Sequence, residues 1–317
     1  MSEGKSTIRI GTRGSALARW QAEHVAAALR ALPDAPQPEL VLIKTEGDRI
    51  QDVPLSQVDG KAFFTKEIEE ALLTDRVDVA VHSLKDLATE MPPGLTLGAV
   101  MEREDPHDAL LAGDRAVVVP DQLKKGARVG TSSIRRRALL ARWRPDLELL
   151  ELRGNVPTRI EKLDRGEYDA IVLALAGVKR LGLEARISTP LPFEDFLPAV
   201  SQGAVGVQIR EGDEEVARWV EALDHPPTCA ATAAERALLR TVEGGCHVPV
   251  GALGEVDGEL LRLRAVVCSL DGSEAVEGSL SGPLSEADGL GVTLAEELLG
   301  RGGSQILDGI RKAEPGG

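Results

Sequence analysis

The sequence predicts an α/β protein of two lobes with mainly parallel sheets, followed by a small α+β C-terminal domain. Three observations carry this. Strand and helix patterns alternate through the first 110 residues. A similar alternation resumes at Arg128-Val129-Gly130. Beyond about residue 225 the pattern turns to strand runs broken at Asp257-Gly258 and Asp271-Gly272, dipeptides that favour tight hairpins. Strands that alternate with helices build sheets covered by helices.

Ile8–Gly11 reads as the first strand, and Ser15–Leu32 as a helix with Leu17, Val25, Leu29 and Leu32 at helical spacing. Leu40–Thr45 reads as the second strand. Glu46–Lys61 has little periodicity and contains Gly47, Pro54 and Gly60, the composition of a long loop of functional type. Phe64, Ile68 and Leu72 recur at helical spacing, and Val77–Val81 is a strand. In the second block Ser132–Trp143 and Val156–Arg165 read as helices, Leu147–Leu152 and Asp169–Ala174 as strands. His225-Pro226-Pro227 reads as a linker. A helix over Thr228–Val242 follows, then strands near 249–256, 260–268 and 274–280. Two terminal helices are expected near 285–299 and 304–312, the first with Ser285 as cap over Asp288.

The 317 residues are 43% apolar and 28% charged, with 3% aromatic residues, so the core is built from aliphatic side chains. No run approaches the roughly 18 apolar residues of a membrane-spanning helix. A strand pattern begins at Thr7, which leaves no room for a targeting segment. The three cysteines, at 229, 246 and 268, form neither a spaced metal pair nor an even disulfide set. A reducing cytoplasm is therefore the expected setting. The net charge of −14 opposes binding to a duplex, which needs a positive face. Arginines clustered within an acidic whole instead focus small anions into a cleft.

The chemistry-bearing motifs fall at strand-to-helix junctions, where open α/β sheets bind ligands. Gly11-Thr12-Arg13-Gly14-Ser15 offers close backbone approach, a helix N-terminus for an anion and a guanidinium for a carboxylate. In His82-Ser83-Leu84-Lys85-Asp86, Ser83 and Asp86 have capping-box spacing, and Asp86 equally suits a carboxylate at a cleft mouth that stabilises a cation or moves a proton. Thr131-Ser132-Ser133-Ile134-Arg135-Arg136-Arg137 repeats the hydroxyl-amide-guanidinium set. Three consecutive arginines on a helix point apart, so not all reach one ligand, and at least one is expected in solvent. Arg153, Arg159 and Arg180 add further cations at junctions. Cys246 sits in Glu243-Gly244-Gly245-Cys246-His247-Val248-Pro249-Val250-Gly251, a loop that presents a thiol, although a lone cysteine also serves as a small buried apolar residue. No P-loop, dinucleotide fingerprint or His-Glu-x-x-His motif is present, and the five histidines lack metal-ligand spacing, so no metal is expected.

Together these motifs resemble the porphobilinogen deaminase (hydroxymethylbilane synthase) family. The resemblance runs through Ile10–Gln21, Thr45–Asp48, Gly60–Leu73, Val81–Asp86, Glu102–Leu110, Gly130–Arg136, Leu152–Gly182, Pro198–Gly206 and Ala234–Gly251, and thins after about residue 254. It implies two lobes of the type II periplasmic-binding-protein kind with a hinge and cleft, and a third domain carrying the cysteine. The implied boundaries are 1–103 with about 202–222, 104–201, and 223–317. It implies a dipyrromethane cofactor in thioether linkage to Cys246. Four porphobilinogen units are added to it with loss of ammonia, and hydrolysis then releases hydroxymethylbilane. Asp86 matches the family's catalytic carboxylate. Lys85, Ser132, Arg135, Arg136, Arg153, Arg159 and Arg180 match cofactor-holding positions, and Arg13, Ser15, Phe64 and Ser133 substrate-holding ones. Arginines suit this chemistry because every pyrrole carries an acetate and a propionate. A monomer with no nucleic-acid or membrane partner is implied.

Five residues depart from the family's usual ones: Ala88 for proline, His107 for arginine, Ser201 for glycine, Gln208 for an acid and His247 for glutamine. Two other functions fit parts of the sequence. A non-catalytic two-lobed binder of a carboxylated ligand explains the arginines but not the Cys246 loop. A nucleic-acid regulator using Arg135–Arg137 conflicts with the net charge and the lack of interleaved aromatics.

Overall fold

A computed structural model describes residues 5–45, 65–114, 116–117, 119–243 and 248–313. The Glu46–Lys61 loop, Phe64, Cys246 and His247 lie outside them. The chain divides into two compact units, Met1–Glu104 with Gly203–Cys229, and Asp105–Gln202 with Ala230–Gly317.

The first unit holds strands β1 (Thr7–Thr12), β2 (Gln37–Leu42), β3 (Val79–Ser83), β4 (Leu95–Val100) and β10 (Val205–Arg210), in the sheet order β2-β1-β3-β10-β4. Helices α1 (Ala16–Arg30), α2 (Lys66–Leu73) and α6 (Glu214–Val220) complete its described helices. Ser15 caps α1 by accepting the Ala18 N–H at 3.3 Å, and Ala22, Val25, Ala26 and Leu29 form the buried stripe. β2 begins earlier than the Leu40–Thr45 expected, because it pairs with β1 along its whole length, from Thr7 opposite Gln37 to Thr12 opposite Leu42. Both faces of the sheet are covered. Ile8, Ile10, Val79 and Val81 pack with α1 on one side, and Val77, Ala80 and Leu95 pack with Ile68 and Leu72 of α2 on the other.

The second unit contains β5 (Asp108–Ala112), β6 (Arg128–Gly130), β7 (Glu148–Leu150), β8 (Ala170–Ala174) and β9 (Thr189–Pro190), ordered β7-β6-β8-β5-β9. Helices α3 (Ile134–Trp143), α4 (Val156–Asp164) and α5 (Leu175–Arg180) accompany it. The same unit carries an antiparallel sheet of β11 (Val250–Asp257), β12 (Leu260–Cys268) and β13 (Ala275–Pro283). α7 (Pro226–Glu243), α8 (Ala287–Leu298) and α9 (Ser304–Ala313) belong to its C-terminal part, α7 starting in the last residues of the first unit. Leu253, Val266 and Cys268 pack into one core with Ala138, Leu139 and Val172, which joins the two sheets of this unit.

Four expectations are corrected. The large sheets are mixed rather than mainly parallel, because β10 runs against β3 and β4, and β5 against β8 and β9. Each of these strands starts beside the end of the strand that leaves the sheet. Met101 N–H donates to Val205 O at 3.0 Å, and Leu191 N–H to Asp108 O at 2.8 Å. A strand returning from that point runs antiparallel. His225-Pro226-Pro227 is not a linker: the prolines form the first turn of α7, where no N–H is needed. The His225 ring supports that turn, its Nδ1 lying 2.8 Å from Thr228 Oγ1. Ser285 does not cap α8, which begins at Ala287 after a 3₁₀ turn over Leu284–Glu286 and has no side-chain cap. Nor is any of the three consecutive arginines exposed: Arg135 and Arg136 are buried on one residue, Asp108, and the half-buried Arg137 turns to Leu149 O, so that not all three reach one partner. Both hairpin glycines have positive φ, 59° at Gly258 and 72° at Gly272. Gly272 also abuts α3, where a Cβ would meet Ala138 O at 2.5 Å.

Candidate active site

In the first unit, β1 and β3 are adjacent and parallel, so their carboxyl ends open on the same edge. Arg13 and Ser15 follow β1, and His82 and Ser83 close β3. A 3₁₀ turn over Leu84–Asp86 then brings Asp86 back over the strand end. Arg13, Ser15, His82, Ser83 and Asp86 line one cavity of about 90 Å³. Asp86 and Lys85 are exposed, Arg13 half-buried.

Of the two readings of Ser83-x-x-Asp86, the capping box is excluded. Ser83 makes no side-chain cap bond. Its hydroxyl pairs with the buried Gln21 amide, which donates Nε2–H to Ser83 Oγ at 2.9 Å. Asp86 is exposed and lines the cavity. His82 is the cavity residue that motif reading did not single out. It is 6% exposed, and its Nε2 lies 3.1 Å from Gln208 Oε1. Burial, with Arg13 adding to it, pushes its pKa down to about 4, so the ring is neutral at physiological pH. Its signal in the sequence is its place at the end of a β-strand immediately before the Ser83–Asp86 segment.

In the second unit the corresponding loops follow β6, β7 and β8. Ser132 clips two of them together, donating to Leu152 O at 2.7 Å and accepting from Leu152 N–H at 3.1 Å. Ser133 caps α3 by accepting the Arg136 N–H. Arg153 follows β7, with Nε 3.9 Å from Glu151 Oε1. Arg159, on the first turns of α4, donates Nε–H to Gly154 O at 2.7 Å. Arg180 ends α5 and is half-buried.

Arg135 and Arg136 are placed differently from these half-buried cations. Both are buried, and both donate to Asp108, from Arg135 Nη1 to Oδ2 at 2.7 Å and from Arg136 Nε to Oδ1 at 2.9 Å. Arg135 also reaches Leu197 O, and Arg136 reaches Val172 O and the Gln202 amide oxygen. The carboxylate they hold here is the chain's own. The two guanidiniums drive the Asp108 carboxyl far below the usual carboxylate range despite complete burial. Arg137, the third of the run, donates to Leu149 O.

Among the described residues no three His, Cys, Asp or Glu side chains gather as metal ligands do, and no helix is long and apolar enough to cross a membrane.

The chain is an α/β protein in which a carboxylate and a guanidinium share one cavity at the parallel strand ends of the first unit, and further guanidiniums stand at strand-to-helix junctions of the second. Residues 8–218 match the family model described as "Porphobilinogen deaminase, dipyromethane cofactor binding domain", and residues 229–300 match "Porphobilinogen deaminase, C-terminal domain". The chain is 49% identical over 308 residues to the porphobilinogen deaminase of Geotalea uraniireducens, covering 97% of this chain and 96% of that one. It is likewise 49% identical over 309 residues to that of Moorella thermoacetica, covering 98% of each. Among solved structures it is similar to the methionine binding protein MetQ, with a TM-score of 0.43 and 15% identity, over 69% of this chain and 90% of that one. The chain belongs to the porphobilinogen deaminase family, transferases of porphyrin biosynthesis also known as hydroxymethylbilane synthases.

Proposed function

We propose that this chain condenses four porphobilinogen molecules head to tail, loses ammonia at each addition, and releases hydroxymethylbilane by hydrolysis, with a dipyrromethane held by a thioether at Cys246. The observation that carries this reading is the shared cavity of Arg13 and Asp86. The residues fit such a group. Its acetates and propionates call for guanidiniums and helix N-termini, and the strand ends supply Arg13 with the Ser15-capped α1, and Arg153, Arg159 and Arg180. When bound, the dipyrromethane supplies the pyrrole carbon to which the first unit is joined.

The chain's own groups do the rest. Asp86 faces the cation that develops as ammonia leaves the aminomethyl carbon of porphobilinogen, and its carboxylate stabilises that charge. The same carboxylate accepts pyrrole N–H bonds and takes up a proton when the ring regains aromaticity. Arg13, Ser15, Ser133 and Phe64 hold incoming substrate carboxylates and ring. Lys85, Ser132, Arg135, Arg136, Arg153, Arg159 and Arg180 hold the cofactor and the lengthening chain, Arg135 and Arg136 by way of the strand end that Asp108 locks. The reading includes the three-domain division at 1–103 with about 202–222, 104–201 and 223–317, and a monomer in a reducing cytoplasm with no nucleic-acid or membrane partner.

Intact mass under denaturing conditions tests it. Wild-type chain is expected to carry an added dipyrromethane mass that Cys246→Ala lacks. An unmodified wild-type chain that gains no adduct on incubation with porphobilinogen overturns the reading in favour of a non-catalytic binder.

A further inference from the structure

Behind the cavity lies a buried chain of polar groups that the proposed reaction does not use. β10 pairs antiparallel with β3, Gly206 standing opposite His82, so that Gln208 lies diagonally across from the imidazole. Gln208 is fully buried. Its amide nitrogen donates to Glu69 Oε1 on α2 at 3.3 Å and approaches Met91 Sδ at 3.6 Å, while its oxygen meets His82 Nε2 at 3.1 Å.

The orientation of that amide follows from what its neighbours accept. A thioether accepts only, so the NH₂ faces Met91, with Glu69 Oε1 on the same side, and the carbonyl faces His82. A carbonyl cannot donate. Nε2 of His82 therefore carries a proton, and in the neutral ring Nδ1 then carries the lone pair. The charge of the ring is set by burial, which disfavours the imidazolium, while the Gln208 hydrogen bond works in the opposite sense. Arg13, from the loop after β1, disfavours a second cation, and Glu69 is separated from the ring by the neutral amide. Asp86 lines the same cavity from the turn after β3.

We propose that Gln208 is a positioning residue that fixes the Nε2–H tautomer of a His82 ring kept neutral by its burial, and that His82 Nδ1 accepts an N–H of the bound pyrrole substrate. The substrate half rests on the function proposed above, whereas the tautomer half does not. An acid at position 208 would add a negative charge beside the ring and favour the imidazolium more strongly than the neutral amide does. Arg13 is the cation among the described residues that line the cavity, beside the Asp86 carboxylate.

Nitrogen-15 NMR of histidine-labelled Cys246→Ala protein tests this without cofactor or turnover, the His82 signals being assigned by their loss in His82→Gln. In this protein His82 is expected to show a bare Nδ1 and a protonated Nε2 from pH 7 down to about 5. A protonated Nδ1, or an imidazolium at pH 7, overturns the proposal, and wild-type sequence at position 208 suffices for this measurement. Gln208→Glu is then expected to bring His82 titration back toward the ordinary imidazole range and to make kcat/KM for porphobilinogen fall as pH drops through it. Unchanged His82 titration in Gln208→Glu overturns the positioning role. Adding porphobilinogen to the labelled protein is expected to shift the Nδ1 resonance, and a saturating complex without that shift overturns the substrate contact. A wild-type chain that takes up no adduct in the mass experiment removes the function, and with it the substrate half, but leaves the tautomer result standing.

Discussion

Arg135 Nη1 donates to Asp108 Oδ2 at 2.7 Å, with side chains 5% and 0% exposed. Arg136 closes on the other oxygen of the same carboxylate. One buried anion thus anchors two adjacent arginines at the start of α3 and ties that helix to the first residue of β5. Removing the anion leaves two guanidiniums in a low-dielectric interior. Asp108→Ala is expected to cost about 3–5 kcal/mol in urea unfolding, and Asp108→Asn most of that. A loss below about 1 kcal/mol in both variants shows that the arginines find other acceptors.

Ser201 occupies the left-handed region, with φ of 62°. Its backbone N–H donates to the buried Glu235 Oε2 at 2.6 Å, which holds the conformation in place. Its hydroxyl is buried and has no partner among the described residues. Glycine here removes both penalties while giving some unfolded-state entropy back. Ser201→Gly is expected to raise the unfolding free energy by about 1 kcal/mol, measured as a higher denaturant midpoint at unchanged m-value. A lower midpoint contradicts the strain.

Asp86 is exposed, so Asp86→Asn is expected to leave stability within about 0.5 kcal/mol of wild type. The amide keeps the shape and loses the charge. Porphobilinogen consumption is expected to fall about 10²–10⁴-fold, in line with removal of an acid–base group. Ammonia release at near wild-type rate from a folded variant removes Asp86 from the chemistry.

His82 sets a pH dependence of stability. Its folded pKa is lowered to about 4 from the ordinary 6.5, so between these values the unfolded chain binds a proton that the folded chain does not. Stability therefore rises with pH across this window, is free of the penalty above 6.5, and bears all of it, about 3 kcal/mol, below 4. Asp108 acts in the same sense at lower pH: its depressed pKa makes a contribution that is complete above the ordinary carboxylate range and is lost in acid. Unfolding free energies measured from pH 4 to 7 are expected to rise less steeply in His82→Gln than in wild type. Identical slopes mean that His82 binds its proton as readily in the folded chain as in the unfolded one.

Much of the site is written locally in the chain. Gly-x-Arg-Gly-Ser after a strand is a turn, a guanidinium and a helix cap in five residues, and the structure uses Ser15 as that cap. The prolines at 226 and 227 mislead because the same residue type opens a helix or breaks a chain, and which of these occurs depends on whether a helix follows directly. Ser83 and Ser285 mislead for a related reason. Capping spacing is common, and a serine with a better acceptor or donor elsewhere leaves the cap unused, as Ser83 does for Gln21.

The sequence by itself determined the kinds and order of most elements, the hairpin turns, the placing of arginines at strand-to-helix junctions and the family. These depend on dihedral preference, periodicity and residues within a turn or two of one another. Only the tertiary structure decided the strand directions at β5 and β10, the pairing of Arg135 and Arg136 with Asp108, and the pairing of Ser83 with Gln21 in place of a helix cap. It alone decided the charge of His82, whose partner Gln208 is 126 residues away. The physical reason is common to all four. A buried donor takes whichever acceptor folding brings within about 3 Å, and sheet pairing, rather than neighbourhood in the chain, selects that acceptor.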